Sequence, residues 1–185
     1  KIFGINNLAL FYLKKWDLRD LPIYLPVFGK VSHKEEFLNI RDNILQGSIR
    51  DRGIERQIRK MGQPAIVDCG INVGITARWW YYLNPQATVY GIDMMQEAND
   101  FTVKALQERF RARYVPITAV LASETGRTFE LNYSDPLFGG NSIDTSGKYS
   151  ENRSANSVTL DDCLSKYQIG AIDLLKVDIE DSAAQ

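Results

Sequence analysis

Two cysteines and one histidine are all that this 185-residue chain holds of the side chains that most often bind transition metals or act as soft nucleophiles. Cys69 and Cys163 lie far apart and match no metal-ligand spacing, so no metal site and no disulfide framework is expected. A reduced, cytoplasmic protein is the simpler reading of such sparse cysteine usage. An excess of positive charge is also lacking, the formal net charge being -1. That argues against nucleic acid as a partner, because neutralising phosphates takes a surplus of Lys and Arg. Long apolar runs are missing too. The longest, residues 8–13, is far too short to span a bilayer and has neither the charged start nor the small-residue cleavage site of a secretory signal. The chain opens on Lys1 rather than Met, as expected if the natural N-terminus is missing or processed. No internal repeat is present. What remains, 44% apolar and 24% charged residues, is the balance of a globular domain with a real hydrophobic core.

The texture changes once along the chain, near residue 63. Residues 1–62 read as an N-terminal arm and helical segment. The first 31 are apolar and aromatic, and Pro22 and Pro26 favour extended structure there, which suits an arm packed on the domain or on a second subunit of a homo-oligomer. Ser32 followed by Glu35 has the spacing of a helix-capping box. Phe37, Ile40, Ile44 and Leu45 then share a helical face, and Gly47 ends the pattern. A second helix carries Ile54, Ile58 and Met61 on one stripe. Its opposite face holds Arg52, Arg56, Arg59 and Lys60, a cluster expected to be solvated.

From residue 63 onward strands and helices alternate. Strands are expected at 65–69, 88–92 and 114–120, and helices at 75–83 and 97–110. This order implies an open parallel sheet with helices on both faces. Residues 128–133 alternate like an extra strand. Residues 134–157, rich in Ser, Asn, Asp and Gly, read as a long loop, in which Asn141 and Ser142 are candidates to touch cofactor or substrate, with no geometry given by the sequence. A short helix at 161–167 and an apolar strand at 172–179 follow.

The chemistry centres on Val67-Asp68-Cys69-Gly70-Ile71-Asn72-Val73-Gly74, which leaves a strand and opens a helix. In open parallel sheets the ligand crevice lies at the carboxyl ends of the strands, where strand order reverses. A dinucleotide fingerprint needs a middle glycine to admit a pyrophosphate. Here Ile71, Asn72 and Val73 separate Gly70 from Gly74, and Asp68 brings a carboxylate to the turn. S-adenosyl-L-methionine has no phosphate and carries an ammonium and a sulfonium, so acid suits it. The second strand runs into Asp93, whose carboxylate can accept hydrogen bonds from the two ribose hydroxyls of an adenosine. Asp68, Gly70, Gly74 and Asp93 are therefore the candidate cofactor residues.

These motifs resemble the FkbM family of methyltransferases over roughly residues 65–180. Val67, Asp68, Gly70, Asn72 and Gly74 match the family's first loop, with Ile71 in place of its usual Ala. Asp93-Met94 stands where the family commonly has Glu-Pro. Thr159-Leu160-Asp161 precedes a short helix, and Lys176-Val177-Asp178-Ile179-Glu180 matches a late strand, with Asp181 replacing its final glycine. The resemblance implies a class I, Rossmann-like methyltransferase fold, adds Asn72 and Met94 to the cofactor set, and implies methyl transfer to an oxygen on a sugar, polyketide or similar metabolite. It also implies three further strands beyond 172–179, which this sequence does not contain, so the C-terminal part of the domain is expected to be missing.

Removing a hydroxyl proton needs a base or a metal. Lys176, Asp178 and Glu180 alternate along the last strand and so share a face. Asp178, near the expected strand end, is the candidate catalytic residue, as a base or as a ligand to an assisting metal. His33 sits at a helix start, and a structural role suits it better. Two rival readings remain at this level: a non-catalytic adenosylmethionine-binding or partner-binding domain, and a nucleotide-linked oxidoreductase, against which the absent middle glycine argues.

Overall fold

A computed structural model describes residues 23–133, 135–141 and 151–179 of the chain. Its centre is β3 (Ala65–Cys69), whose sequence Ala-Ile-Val-Asp-Cys is nearly continuous in apolar character. Such a strand is stable only where both of its faces are covered, which is the situation of a central strand in a parallel sheet. It pairs in parallel with β4 (Thr88–Asp93) on one side and with β9 (Leu174–Val177) on the other. β4 in turn pairs in parallel with β5 (Tyr114–Thr118), so the sheet order is β5-β4-β3-β9. The first three strands run outward in one direction and the fourth lies on the opposite flank. This is an α/β fold with the Rossmann-like order 3-2-1-4, whose switch point falls between β3 and β9.

Successive residues of β3 point to opposite faces, and the two faces have separate cores. Ile66 joins Val89 and Tyr114 in a cluster with Trp79, Trp80 and Tyr81 of α3 (Ile75–Leu83). Val67 and Cys69 join Ile92 and Ile117 in a cluster closed by Cys163 and Ile169, from and just after α6 (Leu160–Lys166). Both cysteines are free and buried, and burial pushes the Cys69 thiol up to about 12.

The N-terminal elements share the first of these cores. Residues of the lead-in form an antiparallel hairpin, β1 (Ile23–Leu25) and β2 (Gly29–Val31), and Leu25, Phe28 and Val31 are buried with Ile40, Ile44 and Ile58 against the α3 aromatics. The rest of the expected arm, residues 1–22, lies outside the described residues. α1 (Lys34–Asn39) starts one residue later than the sequence spacing indicates. Its cap is His33, and the box is closed by Glu36 rather than Glu35: the Glu36 carboxylate accepts from the Ser32 and His33 N–H groups, both at 2.8 Å. The helix widens into a π-helical stretch, Ile40–Leu45, which keeps Ile40 and Ile44 inside but leaves Leu45 exposed. On α2 (Arg52–Ile58) the cluster Arg52, Arg56, Arg59 and Lys60 is exposed, as its pattern indicates.

Three further differences have local causes. The expected helix 97–110 breaks into α4 (Gln96–Ala105) and α5 (Glu108–Arg111), because Leu106 and Gln107 are extended; the break lets Leu106 and Phe110 both enter the core. The expected loop 134–157 contains a strand, β8 (Glu151–Val158), antiparallel to β7 (Thr128–Tyr133) and parallel to the two-residue β6 (Val120–Leu121). Its Ser/Asn-rich composition conceals it. A ladder is made by backbone groups, and the alternating β7 supplies an edge that polar, surface-facing residues can pair with. The last strand is shorter than 172–179. Among the described residues β9 pairs only with β3, and its Leu175 and Val177 are 44% and 53% exposed. Among the described residues, too, no helix is long and apolar enough to cross a membrane.

Candidate functional site

The carboxyl ends of β3, β4 and β9 open into a cavity of about 370 Å³, inside the range of roughly 300–1,000 Å³ common for small-molecule sites. Gly70, Asn72, Asp93, Met94, Asn141 and Asp178 line it, so six of the residues singled out in the sequence meet in one place. Ala98 and the segment Ala119, Val120 and Leu121 supply apolar wall beside Met94 and Met95.

Backbone geometry sets the turn. Gly70 and Gly74 have φ of 76° and 70°, and Asn72, at 48°, is one of two non-glycine residues with positive φ among those described. Positive φ strains most side chains, and glycine removes the strain. There is a second reason for each glycine, and it is internal. A Cβ on Gly70 would lie 1.9 Å from the carbonyl oxygen of Asp178, and one on Gly74 would lie 2.5 Å from the Thr102 side chain. Gly70 thus lets β3 and the end of β9 pass in contact, and Gly74 lets α3 start against α4. Gly74 does not line the cavity.

Asp68 and Asp93 leave neighbouring strands and have different surroundings. Asp68 is fully buried and is not part of the cavity lining. Its Oδ2 accepts from Trp80 Nε1 at 2.9 Å. Its Oδ1 lies 3.0 Å from Lys176 Nζ, an ion-pair contact without the alignment of a hydrogen bond. Lys176 also donates to the carbonyls of Cys69 and Gly70, at 3.1 and 2.8 Å. The charge that the sequence offered to a ligand is therefore balanced within the protein, and it braces the turn from below.

Asp93 is at the cavity wall. Its Oδ2 accepts from the Asn72 N–H at 2.8 Å and its Oδ1 from the Met95 N–H at 2.9 Å. Each carboxylate oxygen keeps further lone-pair capacity. Burial pushes the Asp93 carboxyl above the usual range, while the Met95 and Asn72 N–H groups and Lys176 pull it back down. Asp178 sits just past β9, where its N–H donates to the Cys69 carbonyl at 3.1 Å. Its side chain is 55% exposed and 3.6 Å from Lys176 Nζ. His33 does not line the cavity; its ring caps α1 and lies edge-on to Phe101.

Apart from Asn141, the roof of the cavity comes from residues that the sequence pattern does not connect to the site. α1 and its π-helical extension contribute Glu35, Asn39, Asp42 and Asn43, and residues 136–141 contribute Phe138, Gly139, Gly140 and Asn141. Asn141 was within reach of sequence reasoning as a loop residue; Ser142 and Glu180 lie outside the described residues. One signal for Glu35 was present, since a capping box accounts for only one of two adjacent acids. Among the described residues that line the cavity, four are carboxylates (Glu35, Asp42, Asp93 and Asp178) and none is Lys, Arg or His. Asp42 is paired with Arg41 beside it.

No family model matches this chain, and no curated protein matches it. Among solved structures it is similar to a putative protein-L-isoaspartate O-methyltransferase (beta-aspartate methyltransferase) from Plasmodium falciparum, determined in complex with S-adenosyl-L-homocysteine. The likeness has 14% sequence identity and a TM-score of 0.30, and covers 63% of this chain and 56% of that one.

Proposed function

We propose that the chain binds the methyl donor of an S-adenosylmethionine-dependent methyltransferase, one that methylates a hydroxyl of a sugar or small metabolite, as its resemblance to the FkbM family implies. The observation that carries this reading is Asp93. It stands at the tip of the strand next to the glycine turn, fixed by two backbone N–H groups, with lone pairs left over on a cavity wall. That is the chemistry needed to grip vicinal ribose hydroxyls. The acidic lining supports the choice of ligand. A cationic donor gains from a wall with four carboxylates and no basic side chain among its described residues. A dinucleotide would bring a pyrophosphate to the same wall and be repelled by it.

The bound donor supplies an activated methyl group on a sulfonium. The protein's part is to hold partners in line and take up the proton that the hydroxyl loses. Gly70, Asn72 and Asp93 form the holding floor, Met94 and Val120 the apolar walls, and Asp178, at the cavity mouth, is the proton acceptor in this reading.

Calorimetry with S-adenosylhomocysteine, with NAD as the control ligand, tests the assignment. Wild-type protein binds S-adenosylhomocysteine in preference to NAD. Asp93→Ala weakens that binding, since it removes up to two charge-assisted hydrogen bonds of about 1.5–3 kcal/mol each. An unchanged affinity in a folded Asp93→Ala variant rejects the ribose assignment.

A further inference from the structure

Glu35 and Glu36 are neighbours on one short helix, both buried, and among the described residues only Glu36 has partners that use its charge. Glu36 closes the cap of α1 and pairs at 2.6 Å with Arg78, itself buried. Glu35 is 6% exposed and lines the cavity. Among the described residues it has no cation within ion-pair distance, and the contact its carboxylate makes is a long one, 3.5 Å to the Gly139 N–H. A buried carboxylate is unfavourable unless a cation or good donors meet it.

A second side chain on the same roof is short of a partner. Asn141 is 5% exposed and lines the cavity. Its amide nitrogen donates to the Asp135 carbonyl at 2.8 Å, which fixes which end of the amide is which. Among the described residues its Oδ1 has no hydrogen-bond partner. Asparagine oxygens enclosed in this way are nearly always bonded. The roof therefore presents a charged acceptor and a neutral acceptor, and what they lack is a group rich in donors and positive in charge.

Their position narrows the choice of group. Asp93 touches the backbone of Asn72, the space next to the Asn72 side-chain amide is bounded by Gly139, and Glu35 meets Gly139 from the other side. The roof acceptors thus stand across the glycine turn from the ribose anchor. We propose that Glu35 and Asn141 Oδ1 hold the ammonium group of the methyl donor's amino-acid tail. An ammonium has three N–H donors and no acceptor, which matches a pair of acceptors of this kind. The inference rests on the donor-site reading of the cavity, and it assigns to the N-terminal helix the part of the ligand that the glycine turn does not hold.

The test uses two ligands that share the adenosine end and differ at the tail, S-adenosylhomocysteine and 5′-methylthioadenosine, which lacks the amino acid. Both are titrated calorimetrically into wild-type protein, Glu35→Gln and Asn141→Ala, with the folded fraction of each variant taken from its melting curve. Glu35→Gln keeps the shape and removes the charge; it lowers S-adenosylhomocysteine affinity by about tenfold or more and leaves methylthioadenosine affinity as it was. Asn141→Ala gives a loss of a few fold, again confined to the ligand with the tail. Equal losses for both ligands, or no loss for either, overturn the inference while the donor-site reading stands. Wild-type protein that binds neither ligand overturns the donor-site reading and this inference with it.

Discussion

The floor and the roof of the cavity are built in opposite ways. On the floor, nearly every polar group is satisfied inside the chain. Asp68 is held by Trp80 and Lys176, Lys176 by two carbonyls, and Asp93 by the Asn72 and Met95 N–H groups. On the roof, Glu35 and Asn141 Oδ1 are enclosed with little or nothing to bond among the described residues. The floor therefore defines shape, and the roof carries the unmet demand. A ligand that fits is gripped by lone pairs left over below and completes acceptors left open above. The same contrast separates residues whose loss should unfold the protein from residues whose loss should be felt only by a ligand.

The largest effect is expected at the floor. Gly70→Ala puts a methyl 1.9 Å from the Asp178 carbonyl oxygen at a position where φ is already 76°. The obstacle is backbone, so no side-chain rotation relieves it, and β3 or β9 must move. The expected loss exceeds about 4 kcal/mol, enough to unfold much of the population. Urea denaturation measures it. A Gly70→Ala protein with a near-normal midpoint would mean that the strand ends are not in contact.

Next comes the tie between floor and roof. Arg78 leaves α3, donates to the Phe28 and Lys30 carbonyls, and pairs with Glu36 on α1. Arg78→Met takes away the cation paired with the buried Glu36 and the donor that meets both carbonyls. Breaking a buried pair from one side costs about 3–5 kcal/mol. The effect should also be regional. Amide hydrogen exchange should rise most over residues 25–45, which Arg78 anchors, and least over β3 and β4. Uniform exchange throughout would show that the roof is not an independently held layer.

The floor was readable in sequence, and the roof was not. β3 and α3 have the bounds their patterns indicate, because a continuous apolar run ending at a Gly-containing turn and an aromatic helix closed by Asn84-Pro85 are local signals. Gly70 and Asp93 could be picked out because a βα turn and a strand-end acid are fixed to each other by the sheet register, whereas Asn72 and Met94 were pointed to by the family resemblance alone. Asp68 shows the limit of that logic. Its place in the motif is visible in sequence, but whether its charge faces a ligand depends on Trp80 and Lys176, the latter 108 residues further on. Phe138 meets the cavity only through tertiary packing, for which sequence spacing carries no signal, and for Glu35 and Asn141 the sequence offers a residue but no position in space. β8 was hidden for a related reason, since its partner β7 and not its own composition makes it a strand.

The smallest expected stability effect belongs to Asp178, and that makes it the most useful residue for separating structure from chemistry. Its side chain is more than half exposed, and Lys176, 3.6 Å away, is already paired with the buried Asp68 at 3.0 Å. Exposed ion pairs contribute about 0–1 kcal/mol, and this one shares its cation with a better placed rival, so Asp178→Asn should shift stability by no more than about 0.5 kcal/mol. The backbone contacts at this position, the N–H to Cys69 and the carbonyl beside Gly70, are unaffected by the change. Donor affinity should also be nearly preserved, because Asp93 and the roof acceptors do not involve the Asp178 carboxylate. If the carboxylate takes up the hydroxyl proton, turnover on an accepted hydroxyl substrate falls by about 10²–10⁴-fold in the same variant. Measuring turnover, S-adenosylhomocysteine affinity and the melting curve on one preparation distinguishes the cases. Near-normal turnover removes Asp178 from the chemistry, and a large loss of stability would mean that Lys176 depends on it more than the distances indicate.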